Sequence, residues 1–360
     1  IYRKTNEYAA FIGTIFLLHL SIILVYVIFA TIFKYFIGLD PLWEDLYYLV
    51  IILSVTEIVK LLFKTINNAN RERKNLVLSS LSEFLLKISI VYIVGSLSDL
   101  SIRNVLSIFI ISNAIAITIL GSKNKYIFTL SDISVRGSGV FVKRIWSFSS
   151  PLIAWAIFGW LRDMSNRWYI DFFIDKEQVA EFALMASIAM IIPTAILGLV
   201  NGFVLPIVYQ KENEREGFAR QLLISIFPLI SVVYVLGFIF LLYFNQEVVL
   251  LVADQKYLKV AWMLPWMHLS YSLYCLAMMS TYEIFAHKKT RLLLWSTLIP
   301  GIVSMVCGLF LIKHFGLYGA LSNYMVTYFC YSALTLYVVV NYRAAKHGVR
   351  YGGAGIESDA

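Results

Sequence analysis

The 360-residue chain is 60% apolar and only 14% charged, and its formal net charge is +8. Soluble domains carry about 25% charged residues, so this composition excludes an ordinary soluble enzyme or binding protein and indicates that the solvent is largely lipid. The basic residues lie in short clusters between apolar runs, a pattern typical of membrane topology and not of a nucleic-acid-binding surface. The three cysteines lie in apolar runs without a CxxC spacing, which indicates neither a disulfide framework nor a zinc site.

Ten segments are long and apolar enough for membrane-spanning helices, each of which needs about 20 residues. The segments are too long and too continuously apolar for the roughly 10-residue alternating strands of a barrel. We therefore predict an all-α integral membrane protein. In chain order the predicted spans, A to J, are 8–37, 45–65, 75–95, 101–121, 147–172, 178–208, 221–244, 259–285, 292–313 and 317–341.

The distribution of lysine and arginine predicts the orientation of these spans. Nineteen of the 30 basic residues fall in alternate segments, at 3–4, 71–74, 123–144, 211–220, 288–291 and 343–350, whereas the intervening loops carry five. Basic loops face the cytoplasm, so both ends of the chain are predicted to be cytoplasmic.

An internal repeat is predicted from the spacing of the spans. When the chain is offset by about 217 residues, spans A to D match G to J, and loop 70–74 falls on 287–291. Spans E and F have no partners, so we expect two further helices before residue 1, in a twelve-helix, two-lobe transporter of the parallel-repeat type. The competing interpretation is that any two multi-span segments align by hydropathy alone.

The predicted organisation follows from this offset. Residues 1–121 form a first lobe with four of its six helices, and residues 122–146 form a cytoplasmic linker between the lobes. Residues 147–342 form a six-helix second lobe, and 343–360 form a cytoplasmic tail.

Five stretches carry a resemblance to a known family. They are 57–73 (EIVKLLFKTINNANRER), 143–151 (KRIWSFSSP), 163–170 (DMSNRWYI), 180–189 (AEFALMASIA) and 316–323 (GLYGALSN). With these residues the chain resembles the multidrug/oligosaccharidyl-lipid/polysaccharide (MOP) export superfamily, and most closely its polysaccharide-transport branch, the O-antigen repeat-unit flippases. The stretches are diffuse, and they specify the superfamily and branch better than the substrate.

The resemblance implies a flippase that moves polyprenyl-pyrophosphate-linked oligosaccharide across the bacterial inner membrane by alternating access between two lobes. It also implies a multi-pass protein whose partners are the lipid bilayer, the lipid-linked sugar, a glycan polymerase and chain-length proteins. We expect no catalytic activity, no cofactor, no bound metal and no nucleic-acid partner.

Spans B and C carry charged residues inside the predicted membrane, where each costs about 2.5–3.5 kcal/mol on insertion scales. Glu57, Lys60 and Lys64 share one face of span B at i, i+3 and i+7, and Glu83 and Lys87 are four residues apart in span C. Lys60 and Lys87 are predicted to bind the pyrophosphate in a cationic cavity, and Glu57 and Glu83 are coupling candidates. The alternatives are snorkelling of Lys64 to the interface and a neutral structural pair in span C.

Span E contains Arg162, Asp163, Arg167 and Asp171. Arg162 is predicted to lie about 22 Å from the inner end of the span, in the outer half of the membrane. Arg162 and Arg167 are predicted to bind substrate, and Asp163 is a coupling candidate. The alternative is a ladder of charges among the lipid head groups. His268 in span H is a further coupling candidate, against the alternative of a buried histidine with satisfied hydrogen bonds.

The sequence features weigh differently against the alternative functions, which are a membrane enzyme of glycan synthesis, an ATP-driven pump and another exporter of the same superfamily. A glycosyltransferase usually needs a carboxylate cluster for a metal, and the sequence has no Asp-Asp pair. A glycan polymerase or ligase usually has a long outer loop, and none is predicted. The absence of a GxxxxGK motif excludes a self-contained ATP-driven pump. A drug exporter of the same superfamily is disfavoured by the cations of spans B and C, whereas a peptidoglycan-precursor flippase would share their charge pattern.

Overall fold

A computed structural model describes residues 7–37, 41–70, 72–97, 101–122, 138–215 and 217–346. These residues form helices and turns, with no strand among them, as predicted. Most of the predicted linker (123–137) and most of the predicted tail (347–360) lie outside the described residues. The helices are α1 Glu7–Ile37, α2 Pro41–Ala69, α3 Arg73–Leu97, α4 Ile102–Gly121, α5 Ser138–Phe173, α6 Lys176–Glu214, α7 Phe218–Val252, α8 Leu264–Ser280, α9 Tyr282–Ala286 and α10 Leu294–Lys346, with 3₁₀ segments at Gln255–Met263 and Thr290–Leu293.

Seven helical segments among the described residues are long and apolar enough to cross a membrane, and they confirm a multi-pass α-helical membrane protein. They are Gly13–Phe36, Leu46–Ala69, Arg73–Leu97, Ile102–Gly121, Lys176–Glu212, Phe218–Val252 and Thr290–Ala345.

The count of ten spans stays a prediction. It exceeds the seven segments found in the structure because three of the predicted spans are not counted separately there. Thr290–Ala345 is 56 residues long and contains predicted spans I and J. Predicted span E lies in α5, which carries four charged residues after position 161 and is not among the seven. Predicted span H is divided between a 3₁₀ segment, the 17-residue α8 and α9.

Gly316 interrupts α10 between predicted spans I and J. Its φ of 56° and ψ of −133° are non-helical, and this backbone conformation is readily adopted only by glycine. The two arms of α10 on either side of this residue correspond to the two predicted spans, so the position of the predicted turn matches a real break.

Side-chain caps define three of the other helical starts. Ser101 Oγ accepts a hydrogen bond from the Asn104 amide at 3.2 Å, and Asp175 Oδ1 accepts one from the Gln178 amide at 2.7 Å. Asp254 Oδ1 accepts from the Lys256 amide at 3.0 Å. Each cap satisfies an amide that has no partner within its own helix.

Large apolar side chains cover the helix surfaces instead of being confined to a core. In α1, for example, Val25 and Phe29 are 66% and 64% exposed. Soluble monomers rarely present contiguous apolar patches of this kind, whereas lipid solvates them without cost. The exposed apolar faces therefore agree with a membrane environment.

The chain divides into two compact units, residues 1–145 and 146–360. In the first unit α4 packs against α2 and α3, and α1 packs against α2. In the second unit α8 packs against α6, α7 and α10. The boundary falls near the C-terminal end of the predicted linker. The six-plus-six repeat and the assignment of the units to its two lobes stay predictions.

The predicted topology can be tested by accessibility of single cysteines. A cysteine at Asn70 or Lys288 is expected to react with a membrane-impermeant maleimide only from the cytoplasmic side, because both lie in basic loops. One at Asp40 or Asp175 is expected to react only from the outside. The measurement is labelling in intact cells and in inverted vesicles, with the three native cysteines replaced. Labelling of both loop sets from the same side would contradict the ten-span topology.

Candidate functional site

Lys60 is the centre of a charged cluster formed by α2, α3 and α4 in the first unit. The residue is 6% exposed. Its Nζ donates to Glu57 Oε1 at 2.9 Å, to Glu83 Oε1 at 2.8 Å and to Asn113 Oδ1 at 2.7 Å. Because an ammonium has three N–H donors, all the hydrogen bonds that Lys60 can donate are already made within the protein.

Glu83 joins this cluster to the rest of α3. Its Oε1 also accepts a hydrogen bond from Lys87 at 2.7 Å, and its Oε2 lies 3.9 Å from Lys64 Nζ. Three lysines therefore surround one carboxylate. With Glu57 included, the cluster has three cations and two anions, a net charge of +1.

Asn113 of α4 was not predicted as part of the site. It is fully buried, and its Nδ2 donates to Glu57 Oε1 at 2.9 Å and to Thr56 Oγ1 at 3.3 Å. An uncharged amide within an apolar span is easily overlooked, although a lone amide there usually needs a partner on another helix. Asn113 orients both Glu57 and Lys60, so it is a structural member of the cluster.

Lys64 and Lys87 are the accessible cations of the cluster. Their side chains are 34% and 24% exposed, compared with 8% for Lys60. The Lys87 ammonium also lies 4.5 Å from the centre of the Phe109 ring. A cavity of about 290 Å³ lies on the same face of α2, lined by Glu57, Ile58, Lys60, Leu61 and Lys64. An anion entering this cavity would meet the Lys64 ammonium, whereas Lys87, also partly exposed and paired with the same Glu83, does not line the cavity.

Arg162 is the centre of a second cluster, within the second unit, and it is 4% exposed. Its Nε and Nη2 donate to Asp163 Oδ1 and Oδ2 at 2.8 and 3.3 Å. The guanidinium carbon lies 4.7, 4.9 and 5.2 Å from the ring centres of Tyr274, Tyr328 and Tyr331. This arrangement is a tyrosine cage in which each ring face stabilises the cation.

The cage leaves one side of the ion pair accessible. The Asp163 side chain is 38% exposed and accepts a further hydrogen bond from the Tyr328 hydroxyl at 2.9 Å. Arg162 Nη1 has no hydrogen-bond acceptor among the described residues. The guanidinium is thus held by rings and one carboxylate, and the exposed chemical group of this cluster is Asp163.

A buried polar ladder connects α5 to the two arms of α10 beside Arg162. Ser165 Oγ lies 2.7 Å from Ser304 Oγ, and Ser304 Oγ donates to the Arg162 carbonyl at 3.1 Å. Asn323 Nδ2 donates to Asn166 Oδ1 at 2.8 Å and to the Ser304 carbonyl at 3.0 Å. Sequence reasoning missed all four polar side chains of this ladder because none is charged. They hold α5 in the position from which Arg162 enters the cage.

Arg167 and His268 lie outside both charged clusters. Among the described residues Arg167 Nη1 contacts Met164 Sδ at 3.9 Å, and Arg167 Nε has no hydrogen-bond partner. His268 is 1% exposed, with Nδ1 3.1 Å from the Ala189 carbonyl and Nε2 3.5 Å from Ser272 Oγ. Both ring nitrogens of His268 therefore have polar neighbours, which fits the buried structural alternative.

The structure thus brings four of the eight predicted residues together in the first unit, namely Glu57, Lys60, Glu83 and Lys87. Arg162 and Asp163 form a separate ion pair in the second unit. Their roles in binding or coupling stay predictions. A comparison of the chain with protein family models, curated proteins and solved structures finds no match. The functional argument therefore depends on these clusters and on the resemblance described above.

Proposed function

We propose that this chain belongs to a membrane transporter that flips an anionic, lipid-linked oligosaccharide from one leaflet to the other. The proposal is supported chiefly by the cluster of α2, α3 and α4. Its five charged side chains lie in candidate membrane spans, where charges are rare and usually functional.

The charge balance of this cluster favours an anionic substrate. A purely structural network would be expected to be neutral and closed, because each unpaired buried charge carries a large desolvation cost. This cluster has an excess positive charge, and the two lysines that carry exposed donors are Lys64 and Lys87. A pyrophosphate group provides the compensating negative charge and several hydrogen-bond acceptors.

The substrate class is proposed from the family resemblance together with this charge pattern. A polyprenyl chain would be solvated by lipid, its pyrophosphate would contact Lys64 and Lys87, and its sugars would require a polar passage. Lys60 makes three internal hydrogen bonds, so we assign it the role of positioning Glu57 and Glu83. No covalent step is part of this function.

Flipping of lipid-linked oligosaccharide in proteoliposomes tests the proposal. The full-length Lys64→Gln, Lys87→Gln double variant is expected to flip at least about 10–100-fold more slowly at limiting substrate, because the loss of even one charged contact costs about 1.5–3 kcal/mol. The corresponding double arginine variant keeps the charge and is expected to retain much more activity, despite its different geometry. Lys74→Gln, at an exposed position in the first turn of α3, is the matched control and is expected to flip normally.

Equal rates for the double glutamine variant and the Lys74→Gln control would contradict the proposal. Lipid carriers with a neutral linkage should be transported poorly by all variants. Preferential flipping of a peptidoglycan precursor over an oligosaccharide carrier would keep the charge mechanism but change the substrate to the alternative flippase class.

A further inference from the structure

A third polar cluster lies at the junction of α6, α9 and α10 in the second unit, and the proposed function uses none of its residues. Glu212 near the end of α6 is 4% exposed, and Glu283 in α9 is 2% exposed. His287 follows α9 directly. One carboxylate oxygen from each glutamate and one imidazole nitrogen all lie within 4.8 Å of one another.

Neighbouring groups hold the two carboxylates in fixed orientations. Glu212 Oε1 and Oε2 accept the amides of Gly217 and Ala219 at 2.9 and 2.7 Å, at the start of α7. Glu283 Oε2 accepts a hydrogen bond from Arg343 Nε at 2.8 Å. A carboxylate oxygen has two lone pairs, so one hydrogen bond to it does not prevent a bond to a metal. Such outer contacts commonly orient the ligands of metal sites.

The local charges favour a bound cation. Among the described contacts, the two glutamates and Arg343 carry a net charge of −1 when the imidazole is neutral. The Glu212 cap and the Glu283–Arg343 ion pair hold the two carboxylates from different sides, and both carboxylates also converge on the His287 imidazole. Desolvated like charges at this spacing repel unless a cation lies between them.

The geometry agrees with a small metal ion. His287 Nε2 lies 3.7 Å from Glu212 Oε1. Two ligands of a tetrahedral zinc ion, each bonded at about 2.1 Å, are about 3.4 Å apart. All three ligand atoms lie within 4.8 Å of one another, so a shift of about 1.4 Å at most brings the third ligand to the same separation. Mixed nitrogen and oxygen ligands suit first-row transition metals, whereas Mg²⁺ and Ca²⁺ prefer oxygen alone.

We infer that Glu212, Glu283 and His287 form a binding site for one divalent transition-metal ion, with Zn²⁺ as the best match. The sequence suggested no such site, since its ligands are 75 residues apart and include no cysteine. The bound ion joins the end of α6, the start of α7 through the Glu212 cap, and α9, with α10 attached through Arg343. It therefore stabilises one end of the second unit.

Metal titration of the intact protein, purified in detergent without a polyhistidine tag, tests this inference. After dialysis against ZnCl₂ and then against buffer, elemental analysis is expected to find about one zinc ion per chain. Zn²⁺ is expected to raise the melting temperature of the wild type, and Mg²⁺ is not. The Glu283→Gln and His287→Gln variants each change a proposed metal ligand. They are expected to bind zinc at least about 10–100-fold more weakly than the wild type, since loss of an outer-shell partner alone has an effect of that size.

His314→Gln is the matched control, because His314 is exposed and lies in a different part of the second unit. This control is expected to bind zinc as the wild type does. Binding of less than about one zinc ion per ten wild-type chains, or equal zinc affinity in the wild type and His287→Gln, would overturn the inference. If His287→Gln is not monodisperse, the visible absorption of Co²⁺ bound to the wild type decides, since four- or five-coordinate Co²⁺ absorbs much more strongly than octahedral Co²⁺. Weak bands of octahedral, hydrated Co²⁺ would overturn the inference.

Discussion

Replacement of Lys60 by methionine is expected to lower the free energy of unfolding by about 3 kcal/mol. Methionine preserves the length and apolar volume of the side chain, so the loss reports mainly on the charge. The substitution leaves Glu83, whose side chain is 12% exposed, without its closest buried partner in α2, and it removes the hydrogen bond to Asn113. We expect the lower end of the 3–5 kcal/mol range for broken buried pairs, because Glu57 is half exposed. The measurement is an SDS titration of the protein in mixed micelles, followed by tryptophan fluorescence.

A second substitution separates the charge effect from packing. Adding Glu83→Gln to Lys60→Met removes the carboxylate that the first change leaves unpaired, so the double variant should recover part of the lost stability. Lys74→Met, at an exposed position in the first turn of α3, should change stability by about 0.5 kcal/mol or less. If Lys60→Met is as stable as Lys74→Met, the hydrogen-bonded role that we assign to Lys60 is wrong.

Replacement of Arg162 by methionine is expected to cost about 2–4 kcal/mol of unfolding free energy. Methionine packs well against aromatic rings, so the tyrosine cage keeps its contacts while Asp163 loses its bidentate partner. Arg162→Lys should be intermediate, because an ammonium keeps the charge but cannot form the planar fork or stack on the three rings. The same detergent titration measures these differences, and Arg220→Met, at an exposed position in α7, is the control.

Transport rates then distinguish a structural Arg162 from one that contacts substrate. If Arg162 only stabilises the tyrosine cage and does not contact substrate, the flipping rate of Arg162→Lys should fall only in proportion to the fraction of folded protein. A rate that drops about tenfold at a temperature where the variant is fully folded would instead support direct contact with the pyrophosphate. Wild-type stability in Arg162→Met would contradict the structural role of the cage.

Sequence periodicity predicted which charged residues share a helix face, but not what that face meets. The i, i+3 and i+7 spacing of Glu57, Lys60 and Lys64 places them together on α2, and the four-residue spacing of Glu83 and Lys87 does the same on α3. These relations are local, so they follow from helix geometry alone. The burial of Lys60 and its contact with Asn113, 53 residues away, depend on how α2 packs against α4.

The sequence also left the structural and functional interpretations of each cation open. Lys60 and Lys87 were equally strong candidates, since both are charged residues in apolar spans. Their environments differ because three acceptors surround Lys60, whereas the Lys87 side chain is 24% exposed and has one carboxylate partner among the described contacts. Only tertiary structure could separate the two, because exposure is a property of neighbouring helices.

By itself, the sequence determined that the protein is α-helical, that it crosses a membrane several times and that a turn separates spans 292–313 and 317–341, where α10 breaks at Gly316. Each of these follows from residue composition or from backbone preference, which act over a few residues. The tertiary structure alone brought Tyr274, Tyr328 and Tyr331 around Arg162. It also brought Glu212 to Glu283 and His287. Tyr274 lies on α8 and the other two tyrosines lie on α10, while the two glutamates lie on α6 and α9. Apolar patterning specifies which faces are buried without specifying which polar groups meet there.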